Sequence, residues 1–366
     1  MRVLHIISKF GGGGLERRAI QTVKGLKDKG GMELLIVVYS KEVEYKEVLS
    51  LGVDIHYMES PGRKARCKEL EDIIKEYQPA IVHSWLDRFP TELILLSHLK
   101  RRYGFKYIHG SVCDGNRISK LSTVWMAQKI SFIFSDVIVS NSKAGLIAKD
   151  APMSKSEIIY NGFDFARIPQ ILDKSKREEL GVKTKYMVTM CGRVDGSKDW
   201  NAYIEVARMA NEASLDVTFI AIGNGNRIEQ YRKIVLDKGL NNVIFTGRRT
   251  DVEELIGLSD VCMLLSDTRM HAEGVSNFIM ESMASGKPVI ATRGGGTPEI
   301  VSDSINGYVV DNNTTEAYIR LKHLLENDTL REIFGKNALE EIHKRFTLDL
   351  MTENYYKLYI KLIKLE

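Results

Sequence analysis

The sequence predicts an α/β protein built from two successive Rossmann-like, doubly wound domains. Three observations predict it. Short apolar strands alternate with amphipathic helices from residue 3 to about residue 140, a Gly/Pro-containing break follows at Asn161–Lys176, and the same alternation then restarts. Alternation of this kind implies a parallel sheet covered by helices on both faces. The 366-residue length suits two domains at roughly 100–200 residues each. The expected boundaries are 1–168 for the first domain, 169–346 for the second and 347–366 for a terminal helix.

In the first domain, Val3–Ser8 reads as a strand, Gly11–Gly14 as a glycine loop and Leu15–Lys29 as an amphipathic helix. Leu34–Tyr39 is apolar throughout, as strands buried on both faces are. A helix at Lys64–Tyr77, a strand at Ala80–Ser84, a helix at Thr91–Arg102 and strands at Lys106–His109 and Asp136–Ser140 complete the half. In the second domain, strands are expected at Lys185–Cys191, Val217–Gly223, Asn242–Phe245, Val261–Leu265 and Val289–Thr292. Helices are expected at Asn201–Glu212, Asn226–Lys238, Asp251–Leu258 and Phe278–Ser285. The helix Leu348–Leu365 has no strand after it and could cap either domain. In doubly wound sheets ligands bind outside the carboxyl ends of the strands, and with two domains the cleft between them is the default site.

Composition narrows the class. The apolar fraction is 44% and the charged fraction 27%, an ordinary globular balance. Net charge is +4 and unevenly spread: residues 1–165 hold 25 Lys and Arg against 19 Asp and Glu. A basic first half suits a phosphate, a lipid diphosphate or a membrane surface, and equally a few spare surface lysines. The four cysteines, Cys67, Cys113, Cys191 and Cys262, are scattered, which argues against disulfides and a structural zinc site. The segment MRVLHIISKF is too short and β-like for a signal peptide, and no apolar run approaches ~20 residues. The expectation is a cytoplasmic protein, at most peripheral at the inner face of the cell membrane, without a nucleic-acid partner.

The segment Glu273-Gly-Val-Ser-Asn-Phe-Ile-Met-Glu281 carries the most chemistry. A strand leads through a polar loop into a helix that Ser276 or Asn277 can cap and Gly286 can end, with Pro288 just beyond. A helix start fed by a glycine loop offers backbone N–H groups and a partial positive charge to a phosphate. Glu281 lies about one turn inside and Glu273 across the loop, roughly 10 Å away. Carboxylates accept hydrogen bonds from hydroxyl pairs, so the two could hold sugar, diphosphate and ribose in order.

This segment resembles the Glu-x7-Glu motif of glycosyltransferase family 4, retaining enzymes of GT-B fold. Ala284-Ser-Gly-Lys-Pro-Val-Ile-Ala-Thr292 and Gly294-Gly-Gly-Thr-Pro-Glu-Ile-Val301 are similar to that family's continuation. The resemblance implies that Glu281 holds the ribose hydroxyls, that Glu273 contacts the transferred sugar, and that Gly274, Val275, Ser276 and Asn277 line sugar and phosphates. Gly192-Arg193-Val-Asp-Gly-Ser-Lys198 is similar to the family's Gly-Arg…Lys signature, whose cations grip the diphosphate. Preorganised charge at a leaving group often supplies the largest catalytic contribution. The family has Gly directly after the Lys, where this chain has Asp199.

Gly11–Gly14 with Glu16 resembles the family's Gly-Gly-x-Glu start, which implies Gly13 and Gly14 at the donor phosphate and Glu16 toward the acceptor. It is not a dinucleotide fingerprint, because Glu16 or Arg17 stands where the third glycine belongs, and Gly223-Asn-Gly225 fails the same test at Ile228. By the same resemblance His109 faces the donor sugar from a strand end, His83 meets the acceptor, and Arg248 touches the nucleotide. Asn161-Gly162 is similar to a recurrent structural turn. No Asp-x-Asp and no His-x-x-x-His or His-Glu-x-x-His occurs, and Gly286-Lys287 is followed by Pro288, so neither a metal site nor a P-loop is expected. Ile118–Phe134, with Trp125, Met126, Ile130, Phe132, Ile133 and Phe134, reads as a core helix or as an amphipathic surface for a lipid-linked acceptor.

The resemblance implies a retaining, metal-independent glycosyltransferase like those of bacterial polysaccharide and O-antigen assembly. It would use a UDP- or GDP-linked nucleotide-sugar as substrate, no cofactor, and a saccharide or lipid-linked acceptor. Two other readings stay open at this point: a UDP-N-acetylglucosamine 2-epimerase on the same fold, and a non-catalytic sugar-nucleotide-binding subunit.

Overall fold

A computed structural model describes residues 1–87, 89–120, 122–268 and 270–364. The chain divides into two compact units, one of Met1–Gly162 with Leu348–Glu366 and the other of Phe163–Thr347.

The first unit holds a seven-stranded parallel sheet. Its strands are β1 (Arg2–Ile7), β2 (Glu33–Val38), β3 (Asp54–Tyr57), β4 (Ile81–Ser84), β5 (Lys106–Val112), β6 (Val137–Ser140) and β7 (Ser156–Ile158). Their spatial order is β3-β2-β1-β4-β5-β6-β7, so the chain reverses its direction of travel between β1 and β4. The central strands are buried on both faces, which is why they read as unbroken apolar runs. The edge strands β3 and β7 are half-buried and part-polar, and the hydropathy pattern passes over both.

The helix Gly14–Lys29 buries Ala19, Ile20, Val23 and Leu26 on the sheet and ends at Gly30, whose φ of 74° suits a glycine. Against it packs Leu348–Lys364, the helix with no strand after it. Met351, Tyr355, Leu358 and Leu362 recur at three- and four-residue spacing and join the core of Ile20, Val23 and Trp85. The expected last residue of this helix, Leu365, lies outside the described residues. Gly25 explains how closely the two helices approach: a Cβ there would stand 2.0 Å from Thr352 Oγ1. Arg18 is buried beneath the pair, donates to Ile159 O at 3.0 Å and lies over the rings of Trp85 and Tyr355 at 5.5 and 5.7 Å.

The second unit holds a six-stranded parallel sheet of β8 (Tyr186–Cys191), β9 (Val217–Ile222), β10 (Val243–Gly247), β11 (Val261–Leu264), β12 (Val289–Thr292) and β13 (Gly307–Val310). The order β10-β9-β8-β11-β12-β13 puts its reversal between β8 and β11. The expected strands are all present to within one or two residues; β13 is additional to them. The helices Thr314–Leu325 and Asp328–Arg345 that follow it are likewise beyond the expected set.

Among the described residues no helix is long and apolar enough to cross a membrane. The Ile118–Phe134 stretch, apart from Leu121, which is not described, forms a helix at Thr123–Phe134. Its side chains divide between core and surface. Ala127, Gln128, Ser131 and Phe132 are buried, whereas Met126 and Ile133, seven residues apart on one face, are 43% and 66% exposed.

Candidate functional site

In a doubly wound sheet the loops at the reversal diverge and leave a crevice. In the second unit those loops are Gly192–Asp199 after β8 and Ser266–Glu273 after β11, and they bring Lys198 and Glu273 together. Lys198 Nζ donates to Glu273 Oε1. Ser266 Oγ lies 3.3 Å and His271 Nε2 3.5 Å from the same oxygen. Both side chains of the pair are largely enclosed, at 12% and 14% exposure. Burial by itself pushes the Glu273 carboxyl upward, but the Lys198 charge and the His271 contact outweigh it and hold the pKa at about 2. Glu273 is therefore an anion at any physiological pH.

Backbone contacts between glycines support this pair. Gly295 has φ +52°, and a Cβ on it would stand 1.8 Å from Glu273 O. Gly296 N donates to Glu273 O at 2.8 Å. On the other side, a Cβ on Gly223 would stand 1.9 Å from Gly192 O. The Gly223–Gly225 loop thus braces the Gly192–Lys198 loop, a packing role consistent with its failure as a dinucleotide fingerprint.

Beyond Glu273 the chain enters the helix Asn277–Ala284. Ser276 occupies the N-cap position, but its side chain makes no capping hydrogen bond, and Asn277 is already the first helical residue. The expectation that one of these side chains caps the helix is corrected. A helix start of this kind carries a partial positive charge that favours an anion nearby. Gly274 and Val275 are buried, and Ser276 and Asn277 half-buried. The helix ends at Gly286, φ +67°, as expected.

Glu281, one turn in, is 6% exposed. It accepts from Arg167 Nη2 at 2.7 Å, and the same nitrogen donates to Glu253 Oε1. Sequence reasoning missed Arg167, since it falls in the stretch read as an interdomain break. Arg193 does not join Lys198. It is 73% exposed and stands 3.6 Å from Asp195. Arg248 is exposed just after β10, at the far edge of the sheet.

In the first unit, Gly13 takes the N-cap position of its helix with an extended backbone. The Glu16 carboxylate folds back over it, so that a Cβ on Gly13 would stand 2.1 Å from Glu16 Oε2. Gly14 begins the helix. For the two histidines, the strand end expected at His109 is corrected. His109 does not close a strand, because β5 continues to Val112, and its ring is buried between Ser131 Oγ at 2.8 Å and Ser111 Oγ at 3.0 Å. Burial lowers its pKa to about 3, so the ring is neutral. His83 is fully buried as well. It stacks on Trp85 at 4.1 Å and shares a 2.5 Å hydrogen bond between Nδ1 and Tyr359 Oη. Burial and the neighbouring His5 and Arg18 hold it far below the usual histidine range. Neither ring is exposed at the surface of the unit. Among the described residues, no group of three or more His, Cys, Asp or Glu side chains is placed to hold a metal.

These two sheets and their connections define the GT-B fold. HepE of Anabaena, solved with UDP and glucose, superposes with a TM-score of 0.84 at 19% identity, covering 98% of this chain and 99% of its own. Sucrose-phosphate synthase from Thermosynechococcus elongatus gives 0.80 at 17% identity, covering 100% of both chains. Residues 173–341 match the family model described as glycosyl transferases group 1. Among curated relatives, an uncharacterized glycosyltransferase of Methanocaldococcus jannaschii is 27% identical over 64% of this chain and 61% of its own length. N-acetyl-alpha-D-glucosaminyl L-malate synthase of Bacillus anthracis is 27% identical over 41% of this chain and 39% of its own. An Escherichia coli alpha-1,3-galactosyltransferase, named for UDP-Gal and alpha-D-GlcNAc-diphosphoundecaprenol, is 25% identical over 57% and 55%. The chain therefore spans less than two thirds of the length of each of these relatives. Together the matches support a GT-B glycosyltransferase family.

Proposed function

We propose that the protein is a retaining, metal-independent glycosyltransferase that moves a sugar from a UDP- or GDP-linked donor to a hydroxyl of a saccharide or lipid-linked acceptor in cell-surface polysaccharide synthesis. The observation that carries this reading is the Lys198–Glu273 pair at the sheet reversal, in the loop that leads into the helix Asn277–Ala284. An ionised Glu273 can receive the hydroxyls of the transferred sugar. The helix start can receive the diphosphate. Lys198 has three N–H donors, so it can hold Glu273 and also meet the charge that grows on the leaving diphosphate. In this reading the transition state is oxocarbenium-like, and the departing diphosphate helps deprotonate the incoming hydroxyl on the same face, with no protein nucleophile.

Arg193, exposed on the same loop, is the second diphosphate cation in this reading, and Arg248 reaches the nucleotide from the β10 edge. Gly13, Gly14 and Glu16 form the first unit's contribution. His83 and His109 are assigned a supporting role behind the ligand surface, because each is enclosed. The exposed Met126 and Ile133 suit peripheral contact with a membrane carrying a lipid-linked acceptor. The names of the relatives favour transfer over epimerisation or passive binding.

A thermal-shift panel with UDP, GDP, ADP and CMP tests the donor site, since stabilisation follows concentration over dissociation constant. One nucleoside diphosphate should stand out. If none shifts the transition, the reading fails. Product from the matching nucleotide-sugar should keep the donor's anomeric configuration by NMR, and inversion would overturn the retaining assignment.

A further inference from the structure

We propose that Arg167 is a positioning residue that sets how Glu281 reads the hydroxyl pair of the ligand's ribose. The inference rests on the donor-site reading above and names a residue which that reading does not contain.

Arg167 is delivered by a pinned turn. Phe163 N donates to Phe346 O at 2.7 Å, and Phe163 meets Phe165 edge-to-face at 5.3 Å. Phe165 stacks on His343 at 4.1 Å. The Asp164 carboxylate accepts from Ala166 N at 3.0 Å, and Arg167 N donates to Asp164 O at 3.1 Å. From this turn the guanidinium lies 5.1 Å over the Phe163 ring, and its Nη2 donates to both Glu281 and Glu253. Three separate elements thus converge: the turn, the helix Val252–Gly257 carrying Glu253, and the helix Asn277–Ala284 carrying Glu281.

The charge balance suggests the purpose. Two carboxylates share one guanidinium at 7%, 15% and 24% exposure, so the trio carries one net negative charge in a largely dry place. Such a cluster repels a phosphate and favours neutral hydroxyl donors. One turn away the helix start has the opposite preference. A nucleoside diphosphate is thereby oriented end to end, diol toward Glu281 and phosphates toward Ser276 and Asn277. Glu253 accepts from the same Nη2 and so anchors that end of the guanidinium beside Glu281. A carboxylate offers about four acceptor positions, so the arginine contact helps to fix its plane without by itself exhausting it.

The test compares affinities, so that general loss of stability does not imitate the effect. UDP, GDP and ADP are first titrated against the full chain by calorimetry, and the one that binds is then compared with its 2′,3′-dideoxy form. Wild type should prefer the diol form about ten- to a hundredfold, the range for hydrogen bonds to a charged group. Arg167→Met should bring that ratio to within about threefold of unity, and Arg167→Lys should leave it intermediate. Glu281→Gln should reduce it likewise. If wild type prefers the diol form and the Arg167 variants keep the full ratio, the positioning role is overturned while the donor-site reading stands. Should Arg167→Met not fold, the Arg167→Lys ratio decides alone: unchanged selectivity overturns the proposal. If no nucleotide binds to wild type, the donor-site reading falls, and this proposal with it.

Discussion

At the scale of single residues, the Lys198–Glu273 pair ties stability to the proposed chemistry. Removing one partner of an enclosed ion pair leaves the other charge uncompensated, at a cost of about 3 kcal/mol. Lys198→Ala should therefore lower the unfolding temperature. At a temperature where the variant is folded, it should lower turnover more than donor affinity, because in the proposed reaction the lysine charge counts most when the diphosphate departs. Equal turnover in variant and wild type at saturating donor would refute that division. The pH dependence of the same pair has a definite sign. The Glu273 pKa is depressed from 4.5 to about 2 in the folded chain. Its stabilising contribution is thus complete above about pH 4.5 and is lost as pH falls toward 2. The unfolding temperature of wild type should exceed that of Glu273→Gln by a margin that shrinks between pH 5 and pH 2. A margin constant across that range would show that the carboxylate charge contributes nothing. Histidines show what local sequence hides: His83 and His109 read as strand residues near a ligand, but which face a ring points to, and how deep, depends on Tyr359 and Ser131, 276 and 22 residues away.

At the scale of elements, the legible parts were those whose physics is local. Central strands such as β1, β9 and β12 announce themselves because burial on both faces demands continuous apolar sequence. Edge strands β3 and β7 carry Asp54, His56 and Glu157, and so resemble loops. The helix start at Asn277 was legible from its glycine-bearing loop, but the lack of a capping bond from Ser276 depends on how that loop settles. Arg167 was illegible because its partners lie 86 and 114 residues further along, and nothing in a charged, Pro-containing stretch marks one arginine. The glycines after β12 act at this scale too. Gly295→Ala puts a Cβ against the Glu273 carbonyl and demands a positive φ from alanine. It should destabilise by more than 1 kcal/mol and displace the loop holding Glu273. Chemical denaturation and nucleotide titration of this variant should both show losses. An unchanged denaturation midpoint would mean that the contact relaxes freely.

At the scale of the whole molecule, the chain gives its first unit a part that is synthesised after the second unit. Leu348–Lys364 follows all of Phe163–Thr347, yet belongs with Met1–Gly162. Its buried residues, Met351, Tyr355, Leu358, Tyr359 and Leu362, are counted in the same core as Ile20, Val23 and Trp85, so the first unit cannot complete that core without it. Fully burying each large apolar side chain contributes ~1.5–3 kcal/mol relative to exposure, and five of them together rival the net stability of a typical domain. Tyr359 adds a polar consequence, since its loss leaves His83 Nδ1 without this partner inside the core. The second unit, Phe163–Thr347, contains its own six-stranded sheet and does not share that core. A chain ending at Thr347 should therefore lose the cooperative unfolding of the first unit and keep that of the second. Calorimetry should show a reduced transition enthalpy, and limited proteolysis should degrade residues 1–162 while sparing a fragment beginning near Phe163. Tyr359→Phe should lower the stability of the first unit by about 1–3 kcal/mol without unfolding it. If the truncated chain instead unfolds with the full wild-type enthalpy, the terminal helix is an accessory to the first unit and no part of its core.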